Sequence, residues 1–149
     1  MLSVYFKYYI EYTLNSFQHI LVVDDDSITI LIVERMAKLA NFSKQIHSVF
    51  NGLQAKEFMI NRALYYPHEM PELILLDLQM GVMTGWEFLD WYSVWQTDLV
   101  EKPPVYIFSS SLNFDDEKRA LAYSIVNGFI IKPLTNDKLQ RILTERNKI

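Results

Sequence analysis

Four consecutive apolar residues, Leu73-Ile74-Leu75-Leu76, run straight into an acid, Asp77. The run lacks period-2 alternation, as expected for a strand covered on both faces. Asp77 is then placed at the C-terminal end of a buried strand, the end where ligands bind in open α/β sheets. A loop with Gly81 and Gly85 follows, and a new apolar pattern begins beyond it. Taken alone, one such acid reads most simply as a strand cap. The other strand ends change that reading.

The chain in order supplies them. His19-Ile20-Leu21-Val22-Val23 reads as a first core strand, followed by Asp24, Asp25 and Asp26. Ser27 opens a helical pattern in which Ile28, Leu31, Ile32, Arg35, Met36 and Leu39 recur at three- and four-residue spacings. Asn41-Phe42-Ser43 reads as a loop. Ile46-His47-Ser48-Val49 is a short, partly polar strand suited to a sheet edge. Asn51-Gly52 signals a turn, and a helix from about Leu53 to Leu64 packs Ala55, Phe58, Met59 and Ala63. Pro67 and Pro71 break the pattern. The strand ending at Asp77 follows.

Beyond Gly85, Trp86, Leu89, Asp90 and Ser93 share a helical register. Phe88, Trp91 and Trp95 add an aromatic cluster read as core plus one exposed patch. Val105-Tyr106-Ile107-Phe108 is a fourth strand, ending at Ser109-Ser110-Ser111. A helix is predicted from about Asp115 to Val126, its acidic first turn suiting the helix dipole, with Asn127-Gly128 as its stop. Phe129-Ile130-Ile131 is the last strand, ending at Lys132-Pro133. Thr135 is the predicted N-cap of a final helix carrying Leu139, Ile142 and Leu143. Five strands alternating with five helices predict an α/β, doubly wound, five-stranded parallel sheet with helices on both faces.

The 149 residues fit one domain, and 50% hydrophobic content supplies a full core. There are no cysteines, which excludes thiol catalysis and Cys-based metal centres. A formal charge of −4 without a dense basic run argues against a nucleic-acid surface. Residues 1–18 form an aromatic extension ahead of a domain at 19–149. As a helix the extension would align Tyr5, Tyr8, Tyr9 and Tyr12, with Phe6 and Ile10 beside them. Lys7 and Glu11 interrupt it, and it lacks the marks of a signal peptide or a membrane span. It is expected to pack on the domain or on a partner. A homodimer is compatible with it.

Four strand ends thus carry chemistry: Asp24/Asp25, Asp77, Ser109 and Lys132. Crowded carboxylates repel unless a cation or a proton compensates. An all-oxygen set suits Mg²⁺ rather than a soft metal. Lys132 can offset anionic charge, Ser109 can donate to an oxyanion, and Asp77 can serve as ligand or nucleophile. Singly, each has a structural reading: a helix cap for Asp24 or Asp25, a solvated charge for Lys132, and a merely structural serine for Ser109. Together they read as a phosphoryl-transfer site.

At this point the sequence resembles the receiver domain of two-component response regulators, over roughly Gln18 to Leu143. Val22-Val23-Asp24-Asp25, Leu75-Leu76-Asp77 with Gly85 beyond it, Phe108-Ser109 and Ile131-Lys132-Pro133 carry the resemblance, in that order. It implies a flavodoxin-like, CheY-like fold and a phospho-acceptor at Asp77. It also implies a metal site from Asp24, Asp25, Asp77 and the Gln79 carbonyl. Ser109 and Phe129 match the switch pair, and Lys132 matches the family's lysine. Gln79 and Ser111 would flank the phosphoryl group and tune its loss. The implied partners are a sensor histidine kinase or a histidine phosphotransfer protein and a further downstream protein, in the cytoplasm. The implied role is signalling rather than enzymatic, as a stand-alone receiver with slow self-hydrolysis.

Two positions depart from the family pattern. Gly81 stands where proline is common, predicting a looser loop, and Thr84 stands where Asp is frequent. The stretch around Tyr65–Pro71 is longer than in a minimal receiver. Two competing functions are a phosphorylation-independent adaptor and a small Asp-nucleophile phosphatase. The phosphatase reading wants a second Asp two residues beyond the first, where this chain has Gln79.

Overall fold

The computed structural model describes residues 3–7 and 16–148. From Ser16 to Lys148, five strands and five α-helices alternate: β1 (Phe17–Val23), α1 (Ser27–Leu39), β2 (Ser43–Val49), α2 (Gly52–Tyr65), β3 (Ile74–Leu76), α3 (Gly85–Trp95), β4 (Val105–Ser109), α4 (Phe114–Leu121), β5 (Val126–Ile131) and α5 (Asn136–Arg146). The sheet order is β2-β1-β3-β4-β5 and every pairing is parallel. The chain therefore winds outward in both directions from β1, and the crevice of such a sheet opens at the C-terminal ends of β1 and β3. The partly polar β2 is an edge strand, as its composition predicts.

Alternate residues of each strand feed two cores. Ile20, Val22, Leu75 and Phe108 pack with Ile30 and Val33 of α1 and Leu139 and Ile142 of α5. Leu21, Val23, Ile74, Leu76 and Ile107 pack with Ala55 and Met59 of α2, Phe88 and Leu89 of α3 and Ala120 of α4. Burial on both faces explains why the β3 run shows no alternation. The aromatic cluster on α3 is mostly committed to the second core. Phe88 and Tyr92 are buried, Trp86, Trp91 and Trp95 pack partly against them, and Val94 stays exposed.

Three expectations need correction. The helix predicted over Asp115–Val126 ends at Leu121, and Asn127-Gly128 lies inside β5 instead of stopping a helix. Gly128 is required for space: a Cβ there would meet the Tyr106 ring at 2.8 Å. In α1, Ile28, Leu31, Ile32 and Leu39 are exposed, while Ile30, Val33 and Ala37 face the core. That helix is apolar nearly all round, so two faces satisfy the helical period and only tertiary packing selects one. Finally, Asn41-Phe42-Ser43 is less of a loop than expected. Asn41 alone turns, at φ 48, with its N–H on Lys38 O and the Phe42 N–H on Ala37 O. This left-handed helix stop lets Phe42 bury itself at once and Ser43 open β2.

β1 begins at Phe17, whose ring lies 5.0 Å from that of Phe42, inside the stretch read as an extension. Residues 3–7 are helical, with Val4, Tyr5 and Phe6 exposed. Tyr8, Tyr9, Ile10, Glu11 and Tyr12 lie outside the described residues. Among the described residues no helix is long and apolar enough to cross a membrane.

Candidate functional site: an acidic pocket at the strand ends

The C-terminal ends of β1 and β3 bring Asp24, Asp25 and Asp77 together. One carboxylate oxygen from each lies within 4.8 Å of the others. Asp24 and Asp77 are buried and Asp25 is exposed. The third acid of the run has a separate task. Asp26 is the N-cap of α1, accepting the Ile28 N–H at 3.1 Å and the Thr29 hydroxyl at 2.7 Å. These bonds, the hydroxyl foremost, hold its carboxyl below the usual range. Asp24 Oδ1 accepts the Asp26 N–H at 2.9 Å. With capping assigned to Asp26, Asp24 and Asp25 are left to the pocket.

Lys132 enters from the end of β5. Its Nζ stands 2.6 Å from Asp24 Oδ2 and 3.6 Å from Asp77 Oδ2, and 5.4 Å from the centre of the Phe108 ring. The peptide bond to Pro133 is cis. The Lys132 N–H donates to Ser109 O at 2.9 Å, tying the ends of β4 and β5 together. Ser109 is buried, and its hydroxyl oxygen accepts the Ser111 N–H at 3.1 Å. The Ser111 hydroxyl in turn donates to Asp116 in α4 at 2.7 Å. Phe129 lies lower on β5, paired with Ile107, half-buried against the second core. The exposed Gln79 sends its N–H toward Asp77 Oδ1 at 3.4 Å.

Asp77 is the electrostatically stressed member. Burial pushes its carboxyl up to about 6, Lys132 partly opposes this, and the Asp24 and Asp25 charges add to the rise. The pocket thus holds more negative charge than one ammonium offsets. Oxygen donors in this number and spacing suit a hard divalent cation.

The loop after Asp77 is tied by backbone hydrogen bonds on both sides of Gly81. Met83 N–H bonds to Gly81 O at 2.8 Å, closing a three-residue turn with Val82 at φ 66. A β-branched residue there stores backbone strain, as functional loops often do. Gly52 N–H bonds to Met83 O, and Gly85 N–H to Leu78 O. A side chain at Gly85 would collide with the Asp77 carbonyl. Thr84 and Glu87 close a reciprocal capping box at the start of α3. Thr-x-x-Glu is a legible signature that sequence reasoning passed over. Asp116 reads from sequence only as part of an acidic first turn; the short turn from β4 into α4 brings it to Ser111.

A parallel α/β sheet with three acids and a lysine at one crevice defines a class of domain that presents an oxygen-rich, cation-binding pocket at its strand ends. The family model of the response regulator receiver domain matches residues 20–144, and the chain belongs to that family. It is 27% identical over 131 residues to the Probable methanogenesis regulatory protein FilR2 of Methanothrix harundinacea, covering 85% of this chain and 79% of that one. It is 32% identical over 126 residues to the transcriptional regulatory protein ZraR of Klebsiella oxytoca, covering 85% of this chain but only 25% of that one. Among solved structures, a two-component response regulator from Cytophaga hutchinsonii superposes with a TM-score of 0.80 at 26% identity, covering 90% of this chain and 99% of the other. The acidic cluster and the Lys132 ion pairs are the arrangement of a phospho-accepting receiver site. Receiver domains are signalling modules rather than dedicated enzymes.

Proposed function

We propose that the chain is a phosphorelay receiver in which Asp77 accepts a phosphoryl group from the phosphohistidine of a histidine kinase or histidine phosphotransfer protein. The observation that carries this reading is the position of Lys132 between Asp24 and Asp77. An Asp77 oxygen attacks phosphorus, the P–N bond breaks, and the departing imidazole keeps the electron pair and takes up a proton. The product is an acyl phosphate. Its extra charge is the electrostatic problem that the other residues address.

The three acids fit Mg²⁺; Asp24, Asp25 and Asp77, with the Gln79 carbonyl, would hold it, and it would supply charge neutralisation and alignment of a phosphoryl oxygen. Lys132 needs only to trade Asp77 for a phosphoryl oxygen, keeping Asp24 as its anchor. Ser109 can offer its hydroxyl proton to another oxygen, because its present bond uses the oxygen as acceptor. Movement of Ser109 would pull on Ser111 and so on the first turn of α4, and free space toward Phe129. A partner that reads the surface around β4, α4, β5 and α5 can then select one state. Water attack on the acyl phosphate, with Gln79 and Ser111 beside it, resets the switch. A cytoplasmic setting accords with such donors.

Incubation with acetyl phosphate tests the assignment. Wild type should gain one phosphoryl mass and Asp77→Asn none. Equal labelling of the two proteins would overturn the reading.

A further inference from the structure

Lys138 is the third residue of α5, inside the first turn, where the helix dipole disfavours a cation. Its backbone N–H satisfies the Thr135 cap at 3.4 Å. The corresponding place in α3 holds Glu87, which closes a capping box on Thr84. The Lys138 side chain does something else. Its ammonium turns back and donates to Ile131 O at 2.6 Å and to Pro133 O at 2.8 Å. These are the carbonyls of the two residues that flank Lys132.

We propose that Lys138 is a positioning residue, which clamps the backbone on both sides of Lys132 and so sets where the Lys132 ammonium stands over Asp24 and Asp77. The inference rests on the phospho-acceptor reading of that pocket. β5 is an edge strand that ends at Ile131, so beyond it the chain has no ladder to hold it. Ser109 O fixes the Lys132 N–H from the β4 side. Lys138 supplies the missing restraint from the α5 side, with charge-assisted bonds stronger than neutral ones. The location of that restraint matters because the Lys132 side chain is long. Its contacts of 2.6 Å and 3.6 Å to the two acids depend on where its Cα is held. Displacements of about 1 Å at such a group are enough to slow chemistry severely.

The test compares Lys138→Met, which keeps the stem and loses the donors, with Lys138→Arg, which keeps a cationic donor. Both are made in wild type and in a Lys132→Ala background. Acyl-phosphate formation from acetyl phosphate with Mg²⁺ should slow by roughly 3–10-fold in Lys138→Met, the order expected from losing charge-assisted hydrogen bonds. Lys138→Arg should recover most of the rate. With Lys132 already absent, Lys138→Met should change the rate no further. An equal fractional loss in both backgrounds, or no loss in either, overturns the proposal. The Lys132 side-chain ammonium resonance, followed by NMR with no phosphodonor present, gives a second, independent readout. It should shift in Lys138→Met and return in Lys138→Arg, and an unmoved resonance rejects the clamp. Failure of wild type to modify Asp77 would instead reject the function proposed above, and leave the resonance to judge Lys138.

Discussion

The Lys132 ammonium is bonded to Asp24 at 2.6 Å, joining the end of β5 to the end of β1 across 108 residues of sequence. Asp24 is 1% exposed, so this lysine is the counter-charge for a carboxylate that water scarcely reaches. Removing one partner of such a pair leaves the other charge buried and uncompensated. Lys132→Ala should therefore lower stability at pH 7 by about 2–4 kcal/mol in the absence of divalent cations. Urea unfolding checks this. Adding Asp24→Asn to Lys132→Ala should recover part of the loss, and a further loss of similar size would count against the pairing.

Asp77 behaves in the opposite sense. Its carboxyl is pushed up to about 6 in the folded state, from an ordinary value of 3.8, chiefly because it is buried. The folded state thus binds more protons than the unfolded state between those values. Stability falls as pH rises through that window, and the full penalty is present above it. A shift of this size corresponds to roughly 3 kcal/mol at most. Asp77→Asn should raise metal-free stability at pH 7–8 by about 1–3 kcal/mol and remove that part of the pH dependence. Denaturation between pH 4 and 8 in chelator provides the measurement. A destabilised Asp77→Asn at pH 7 would contradict it.

A second pH effect sits at the other end of the sheet. His19 Nδ1 and His47 Nε2 are 3.1 Å apart, with ring centroids at 5.4 Å and planes 10° apart. The two ring nitrogens therefore face each other at hydrogen-bond distance. Burial, then Arg62 and His19, lower the His47 pKa below 6.5, while Glu69 opposes the shift. This contribution to stability is complete above 6.5 and is lost as pH falls below it. Its sign is opposite to that of Asp77. In an Asp77→Asn background, stability should fall with pH below 6.5, and His47→Gln should flatten that fall. Persistence of the slope after the substitution would exclude His47 as its source.

The Ser109–Ser111–Asp116 chain of hydrogen bonds predicts where phosphorylation is felt. α4 buries only Ala120, so its position depends heavily on such polar contacts. They include Arg119 over the Trp86 ring at 3.9 Å, while Tyr123 just beyond the helix bonds to Asp90 at 2.6 Å. Amide NMR shifts on phosphorylation should extend from Asp77 into β4, α4, β5 and α5, with Phe129 among them. Changes confined to the loops around Asp77 would contradict the coupling.

The parts of this molecule that depend on local pattern are readable in its sequence. Leu73–Asp77 is legible because a strand buried twice has no polar positions, and its acid marks the functional edge. The predicted Thr135 cap is found. The parts that depend on space between distant residues are not readable in this way. Asn127-Gly128 looks like a stop signal, yet Gly128 is there because the Tyr106 ring covers it. The α1 stripe misleads because Ile30 and Val33 compete with Ile28, Leu31 and Ile32 for the core. Lys138 and Asp116 are illegible for a different reason: each reads as a surface charge in a helix's first turn, and its partner is nearby in sequence, but the turn from strand to helix decides which atom the side chain meets.

The chemical location of the phosphoryl group provides the most direct test of Asp77 as acceptor. The protein is treated with acetyl phosphate, with and without Mg²⁺, reduced with borohydride to convert any acyl phosphate to a stable alcohol, and mapped by peptide mass spectrometry. Reduction is expected at Asp77 alone, dependent on Mg²⁺, absent in Asp77→Asn and weakened in Asp25→Ala. A stable, Mg²⁺-independent modification elsewhere, unchanged in Asp77→Asn, would contradict it.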